Sequence, residues 1–268
     1  MTRIAAIQMT SAPEVGINLR EADRLLAQAA AAGARLAVLP ENFAIMARNN
    51  AERLAAAEVD GTGPIQEFLA ATARANRLWL VGGTIPLRTQ GEKVRATCPL
   101  YDERGERVAR YDKIHLFDVQ LGNGERHFES NAFESGDTPV VVDTPAGRLG
   151  LSVCYDIRFP ELYRRLLDGG AEILSIPSAF TAYTGRAHWE TLVRARAIEN
   201  LCFVIAAAQT GRHPNGRETH GDTMIVNPWG EILARRAHEP GVVVADCDLA
   251  ALRAYRSQLP SIQHRRIK

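Results

Sequence analysis

Short apolar runs, most of them too continuous to leave one face wet, alternate along this chain with amphipathic stretches. "RIAAIQM" (3–9), "ARLAVLP" (34–40), "RLWLVGGT" (77–84), "AEILSIPSAF" (171–180) and "LCFVIAAAQ" (201–209) are strands of this kind. Strands that are apolar at nearly every position must be covered on both sides, which calls for sheets packed under helices. The helical stretches supply the cover: 18–33, with Asn18 near its start and Gly33 as its stop, 63–76 with Pro64 in the first turn, 160–170, 187–200, and 248–260 at the end. Hairpin patterns break the alternation. "KVRATCPLYDERGERVARYDK" (93–113) reads as two strands about the turn "DERGE", and 138–154 as two more. These interruptions exclude a simple eight-fold βα barrel and favour two mixed sheets with helices outside. No linker or low-complexity segment divides residues 1–268, so one domain is expected.

A formal net charge of +1 removes the electrostatic reason to expect nucleic acid or an anionic membrane as partner. No apolar run reaches the roughly 20 residues of a membrane helix, and the N-terminus turns polar too soon for a signal peptide. The 4 cysteines, at 98, 154, 202 and 247, are unpaired in spacing, which favours a reducing, cytoplasmic compartment. The 7 histidines form no metal-binding pattern, so no metal site is expected. "VGGT" and "GTGP" read as turns, since neither has the spacing of a phosphate loop.

Three strands end alike. "RLAVLPE" delivers Glu41, "RVARYDK" delivers Lys113 and "RLGLSVC" delivers Cys154, each where the apolar run stops. In α/β folds functional side chains gather at such carboxyl ends, because the sheet no longer shields them. Singly, each has an ordinary structural reading: a helix cap, a solvated loop lysine, a core thiol. Together, a thiol, a carboxylate and an ammonium suit acyl transfer through a thioester. The charged residues Asp156, Arg158 and Glu161 argue that the segment after Cys154 is exposed, and Pro160 starts a helix, so "YDIRF" reads as a strand-to-helix turn. Such a turn would aim backbone N–H groups at the sulfur. The other three cysteines read as structural. His115 and His188 keep a Cys–His pair open as the alternative, because nothing in the spacing decides between histidine and glutamate as the base.

The segments "LPENF" (39–43), "YDKIHLFD" (111–118) and "SVCYDIRFPELYR" (152–164) resemble, in that order, the three signature regions of the carbon–nitrogen hydrolase (nitrilase) superfamily. The likeness runs over nearly the whole chain. It implies a four-layer αββα sandwich, commonly a homodimer or higher oligomer, without cofactor. It implies Cys154 as nucleophile, Glu41 as general base and Lys113 as stabiliser of the tetrahedral intermediate. The superfamily's further glutamate matches Glu129 in "HFES", with Glu125 and Glu134 in the same loop. "CYDIRFPEL", "PSAFTAYTGRAHWETLVRARAIEN" and "DTMIVNPWGEILA" are similar to the branch that acts on deaminated glutathione and on ω-amides of α-keto acids. "CYD" in place of "CWE" argues against nitriles. A small anionic amide is therefore the expected substrate. Arg158 is the first candidate to clamp its carboxylate, with Tyr155 beside the nucleophile as a second binding residue; Arg186 and Arg212 are weaker candidates. A helix or subunit ion pair is the competing role for Arg158, and a non-catalytic scaffold the competing function.

Overall fold

A computed structural model describes residues 1–267; Lys268 lies outside the described residues. The first strand, Thr2–Gln8, sets the plan. Ile4 and Ala6 face one hydrophobic cluster, while Ala5 and Ile7 face another, and all four are fully buried. Period-two alternation with both sets apolar is what a strand at the centre of a layered fold requires.

Thr2–Gln8 lies between Gly241–Cys247, antiparallel, and Leu36–Val38, parallel. The sheet continues through Trp79–Val81 to Val94–Tyr101, which also pairs with Ile85–Arg88 and with Arg107–Asp112, for 7 strands in all. The second sheet has 6 strands, in the order Ile232–Arg236, Thr223–Val226, Phe203–Ala206, Ile173–Ser175, Gly147–Leu151 and Val140–Thr144. The central pairings of both sheets are parallel and the outer ones antiparallel, the mixed pattern that the hairpins predicted.

Leu25, Leu26 and Leu69, on helices Val15–Ala31 and Pro64–Asn76, pack on Ala5, Ile7 and Ala37 outside the first sheet. Leu162, Leu166 and Trp189, on helices Pro160–Asp168 and Ala182–Asn200, belong to the cluster containing Leu149, Ile173 and Val204 of the second sheet and Ile4 and Leu36 of the first. Two sheets thus pack on each other between two helical layers: an αββα sandwich. No described helix is long and apolar enough to cross a membrane.

Two helix starts differ from expectation. The first helix begins at Val15, and Asn18 lies within it. Its buried amide bonds Ala12 N–H at 2.7 Å and the carbonyls of Ala12 and Ala44 at 2.7 and 2.8 Å, so it pins two loops instead of capping. The helix expected from 187 begins at Ala182, where Thr181 Oγ1 accepts from Thr184 N–H at 3.3 Å. Gly185 fits there because a Cβ at that position would stand 2.3 Å from His220 Cβ.

Candidate active site

Glu41 follows Leu36–Val38, the strand beside Thr2–Gln8. Its loop is set by a close backbone approach: Gly83, with φ 57°, would place a Cβ 2.1 Å from the Pro40 carbonyl oxygen. Next to it, Thr84 Oγ1 accepts from Asn42 N–H at 2.8 Å. The "VGGT" turn therefore serves to seat Glu41. Lys113 leaves Arg107–Asp112 in the same sheet, and Cys154 leaves Gly147–Leu151 in the other.

The three meet with Glu129. Lys113 Nζ donates to Glu41 Oε1 at 2.7 Å and to the two oxygens of Glu129 at 3.0 and 2.9 Å. Glu41 Oε2 accepts from Ala179 N–H at 2.9 Å, and Glu129 Oε2 from Phe117 N–H at 2.6 Å. Of the three loop glutamates only Glu129 reaches the lysine, for Glu125 bonds Asn123 and Glu134 bonds Thr89. Lys113 is 2% exposed and Glu41 4%, so their charges lie almost wholly out of water. Burial alone would neutralise the lysine, but two carboxylates outweigh it and hold the ammonium well above its usual range. Burial would likewise raise Glu41, yet the Lys113 charge and hydrogen bonds keep its pKa below the usual value.

Cys154 sits where the strand turns into a 3₁₀ helix, Cys154–Arg158, with a left-handed φ of 47°. That conformation costs a non-glycine residue about 1–3 kcal/mol and recurs where a side chain must be held at a fixed angle. Its own N–H donates to Pro177 O at 2.8 Å. Burial, and then the Glu41 carboxylate beside it, push the thiol well above its usual pKa. The resting site is thus a protonated thiol beside an ionised glutamate.

A cavity of about 350 Å³ opens over these residues and is lined also by Tyr155, Arg158, Arg53 and Arg217. Arg158 makes no ion pair among the described residues. Its guanidinium lies 5.1 Å from the Phe180 ring centre and 5.9 Å from that of Tyr155, and 3.2 Å from His188 Nδ1. Arg186 and Arg212 are exposed and lie elsewhere.

Neither histidine of the Cys–His alternative bonds the thiol. His115 stacks on Phe159 at 3.7 Å with Nδ1 2.7 Å from Asp156, and His188 is exposed beside Arg158. Asp156 corrects the expectation of an exposed turn: it is fully buried. Four partners make this possible, namely Tyr111 OH, Val153 N–H, His115 N–H and His115 Nδ1. Sequence reading also missed Arg53 and Arg217. Arg53 had a signal, because Asn49 with Glu52 three residues on marks a helix start, and Asn49 Oδ1 accepts from Glu52 N–H at 2.9 Å while Glu52 Oε2 takes the Arg48 N–H at 2.9 Å. Arg217 had none.

A thiol, a carboxylate and an ammonium converging where two sheets of an αββα sandwich meet are the arrangement of the nitrilase superfamily. The sequence profile described as "Carbon-nitrogen hydrolase" matches residues 3–257, and the chain belongs to that family. The deaminated glutathione amidase of Synechocystis sp. is 46% identical over 265 residues, 97% of either chain. Two solved structures share the fold. Saccharomyces cerevisiae Nit3 aligns with a TM-score of 0.89 at 28% identity, covering 99% of this chain and 97% of its own. The Caenorhabditis elegans NitFhit protein aligns at 0.93 and 38%; this chain is 99% covered but spans 65% of that longer protein. The protein is a carbon–nitrogen hydrolase acting on amides.

Proposed function

We propose that residues 1–268 act as one amidase domain that hydrolyses deaminated glutathione, an α-keto acid joined through its γ-amide to Cys-Gly, to 2-oxoglutarate and Cys-Gly. The observation that carries this reading is the charge of the cavity. Glu41 and Glu129 are both committed to Lys113, while Arg158 lines the same space without a carboxylate of its own. A free guanidinium beside a nucleophile calls for a carboxylate on the substrate. The Synechocystis relative's name fits such a substrate.

The chemistry follows from the resting charges. As Cys154 Sγ attacks the amide carbon, its proton passes to Glu41, whose depressed pKa keeps it ready as a base at neutral pH. The oxyanion is met by Lys113 Nζ and by the Tyr155 N–H, which donates to no described acceptor, whereas that of Cys154 is taken by Pro177. Each such donor is worth about 3 kcal/mol in the transition state. Glu41 then returns the proton to the departing amine, the C–N bond breaks, and a thioester remains. Water, deprotonated by Glu41, cleaves the thioester, frees 2-oxoglutarate and restores the thiol. Glu129 holds the lysine in place through two hydrogen bonds, and Tyr155 walls the acyl pocket beneath Arg158.

The same proposal places the enzyme in the cytoplasm as a homodimer or higher oligomer. Ile198 and Trp229, 47% and 50% exposed, give an apolar surface that a subunit contact would cover. Release of 2-oxoglutarate from deaminated glutathione and from α-ketoglutaramate is the test. Faster turnover of the former supports this reading. Faster turnover of the latter makes the protein an ω-amidase, and release from neither makes it a scaffold.

A further inference from the structure

Two more cations share the cavity and have no part in that scheme. Arg53 comes from the short helix after the Glu41 loop, and Arg217 from the turn joining Thr210–Arg212 to Glu218–His220. Neither forms an ion pair among the described residues. Arg53 Nη1 donates to Asn50 Oδ1 at 2.7 Å, and its guanidinium lies 4.9 Å from the Phe133 ring centre. Arg217 Nη2 donates to Ala179 O at 2.8 Å. Its Nε is buried and has no hydrogen-bond partner, the one such side-chain nitrogen or oxygen among the described residues.

Each of these facts is unfavourable in the unliganded protein. A buried N–H without an acceptor loses its bond to water and gains nothing. A guanidinium taken out of water beside a second one adds repulsion, and both burial and Arg217 hold the pKa of Arg53 below its usual value. Glu129 and, less strongly, Glu41 offset part of this through space, but both are hydrogen-bonded to Lys113 and neither forms an ion pair with Arg53 or Arg217. Arg158, by contrast, is set among Tyr155, Phe180 and His188. The cavity therefore holds its cations in two settings, Arg158 among Tyr155, Phe180 and His188, and Arg53 and Arg217 on the Asn50, Phe133 and Ala179 contacts.

We infer that Arg53 and Arg217 form a second carboxylate subsite, which takes the terminal carboxylate of the substrate's leaving half while Arg158 takes that of the acyl half. The inference rests on the amidase reading above. It makes the pair the determinant of substrate length. Deaminated glutathione carries a carboxylate at both ends, whereas the leaving group of α-ketoglutaramate is ammonia and has none. The acceptor that Arg217 Nε lacks is then supplied by the substrate itself.

The test compares deaminated glutathione with its C-terminal carboxamide and with α-ketoglutaramate. Wild-type enzyme is expected to prefer the free acid over the carboxamide by roughly tenfold in kcat/KM, mostly through KM, since a charge-assisted pair is lost. Arg53→Gln and Arg217→Gln should erase that preference, and should lose roughly ten times more on deaminated glutathione than on α-ketoglutaramate. Arg217 also supports Ala179, so Arg53→Gln, which touches only Asn50 and the Phe133 face, is the decisive variant. Equal turnover of acid and carboxamide by wild type, or equal losses on the long and short substrates, overturns the subsite. If wild type turns over none of the three, the amidase reading fails instead. The subsite is then judged by calorimetry on Cys154→Ala: tighter binding of the acid than of the carboxamide upholds it, and equal or no binding overturns it.

Discussion

Tyr111 donates its hydroxyl proton to Asp156 across 2.6 Å, and with that bond the strand leading to Lys113 is fastened to the turn carrying Cys154. The same carboxylate accepts from Val153 N–H at 2.8 Å and His115 N–H at 3.0 Å, on either side of the site. Asp156→Asn keeps the shape but replaces one acceptor oxygen by a donor facing donors. Lys113 and Cys154 then lose their shared anchor. We expect kcat to fall by about 10²-fold, the penalty of a small misplacement of reacting groups, with KM changed much less. Unchanged kcat in steady-state assays would remove Asp156 from this role.

Removing the lysine should cost stability as well as activity. Lys113→Met leaves Glu41 and Glu129 facing each other out of water, and breaking a buried pair costs about 3–5 kcal/mol. In wild type the pKa of Glu41 is depressed below 4.5, so its contribution is present above that value and lost as pH falls through the lower one. In the variant Glu41 keeps its burial but loses the Lys113 charge that offsets it, so protonation relieves it. Urea denaturation should show the gap between the two proteins narrowing from pH 7 to pH 5. A constant gap would refute the account.

The pH profile separates glutamate from histidine as the base. Glu41 titrates below 4.5 and Lys113 above 10.5, so both keep their working charges across neutrality. His127, the cavity-lining histidine, is held below 6.5 by burial and then by Arg217. We expect kcat/KM on a neutral amide to stay level between about pH 7 and pH 8, with its acid limb well below the ordinary histidine range. An inflection between about pH 6 and 7 that disappears in His115→Gln would restore the Cys–His mechanism.

Thiol labelling reads the cavity directly. Cys98 and Cys202 are fully buried and Cys247 is 1% exposed, whereas Cys154 is 7% exposed and lines the opening. Burial raises the pKa of all four thiols, so access to the opening, and not acidity, separates Cys154 from the rest. Iodoacetamide should modify one thiol per native chain, none in Cys154→Ala, and 2-oxoglutarate should slow the reaction. Labelling of a second native thiol would contradict the packing.

Much of this centre was legible because its residues stand where apolar runs stop. Glu41, Lys113 and Cys154 each interrupt a strand that is otherwise Leu, Val, Ala and Gly, and the hairpins announced mixed sheets. Glu129 could be reached only by likeness to a motif, for three glutamates share its loop and only the fold turns one of them toward Lys113. Asp156 misled because a charged residue after a strand reads as solvated unless its donors are known, and two of its four come from 41 positions upstream, on His115. Arg217 was invisible for a similar reason: a polar turn carries no mark of the cavity it will border.

The pairing of Thr2–Gln8 with Gly241–Cys247 joins strands from the two ends of the fold in one sheet. The nucleophile's sheet is complete once residue 236 has been made, but the sheet that holds Glu41 and Lys113 keeps an open edge until residues 241–247 arrive. The chain therefore begins the base's sheet first and finishes it last. Until Gly241–Cys247 is laid beside Thr2–Gln8, the sheet that carries Glu41 and Lys113 is one strand short.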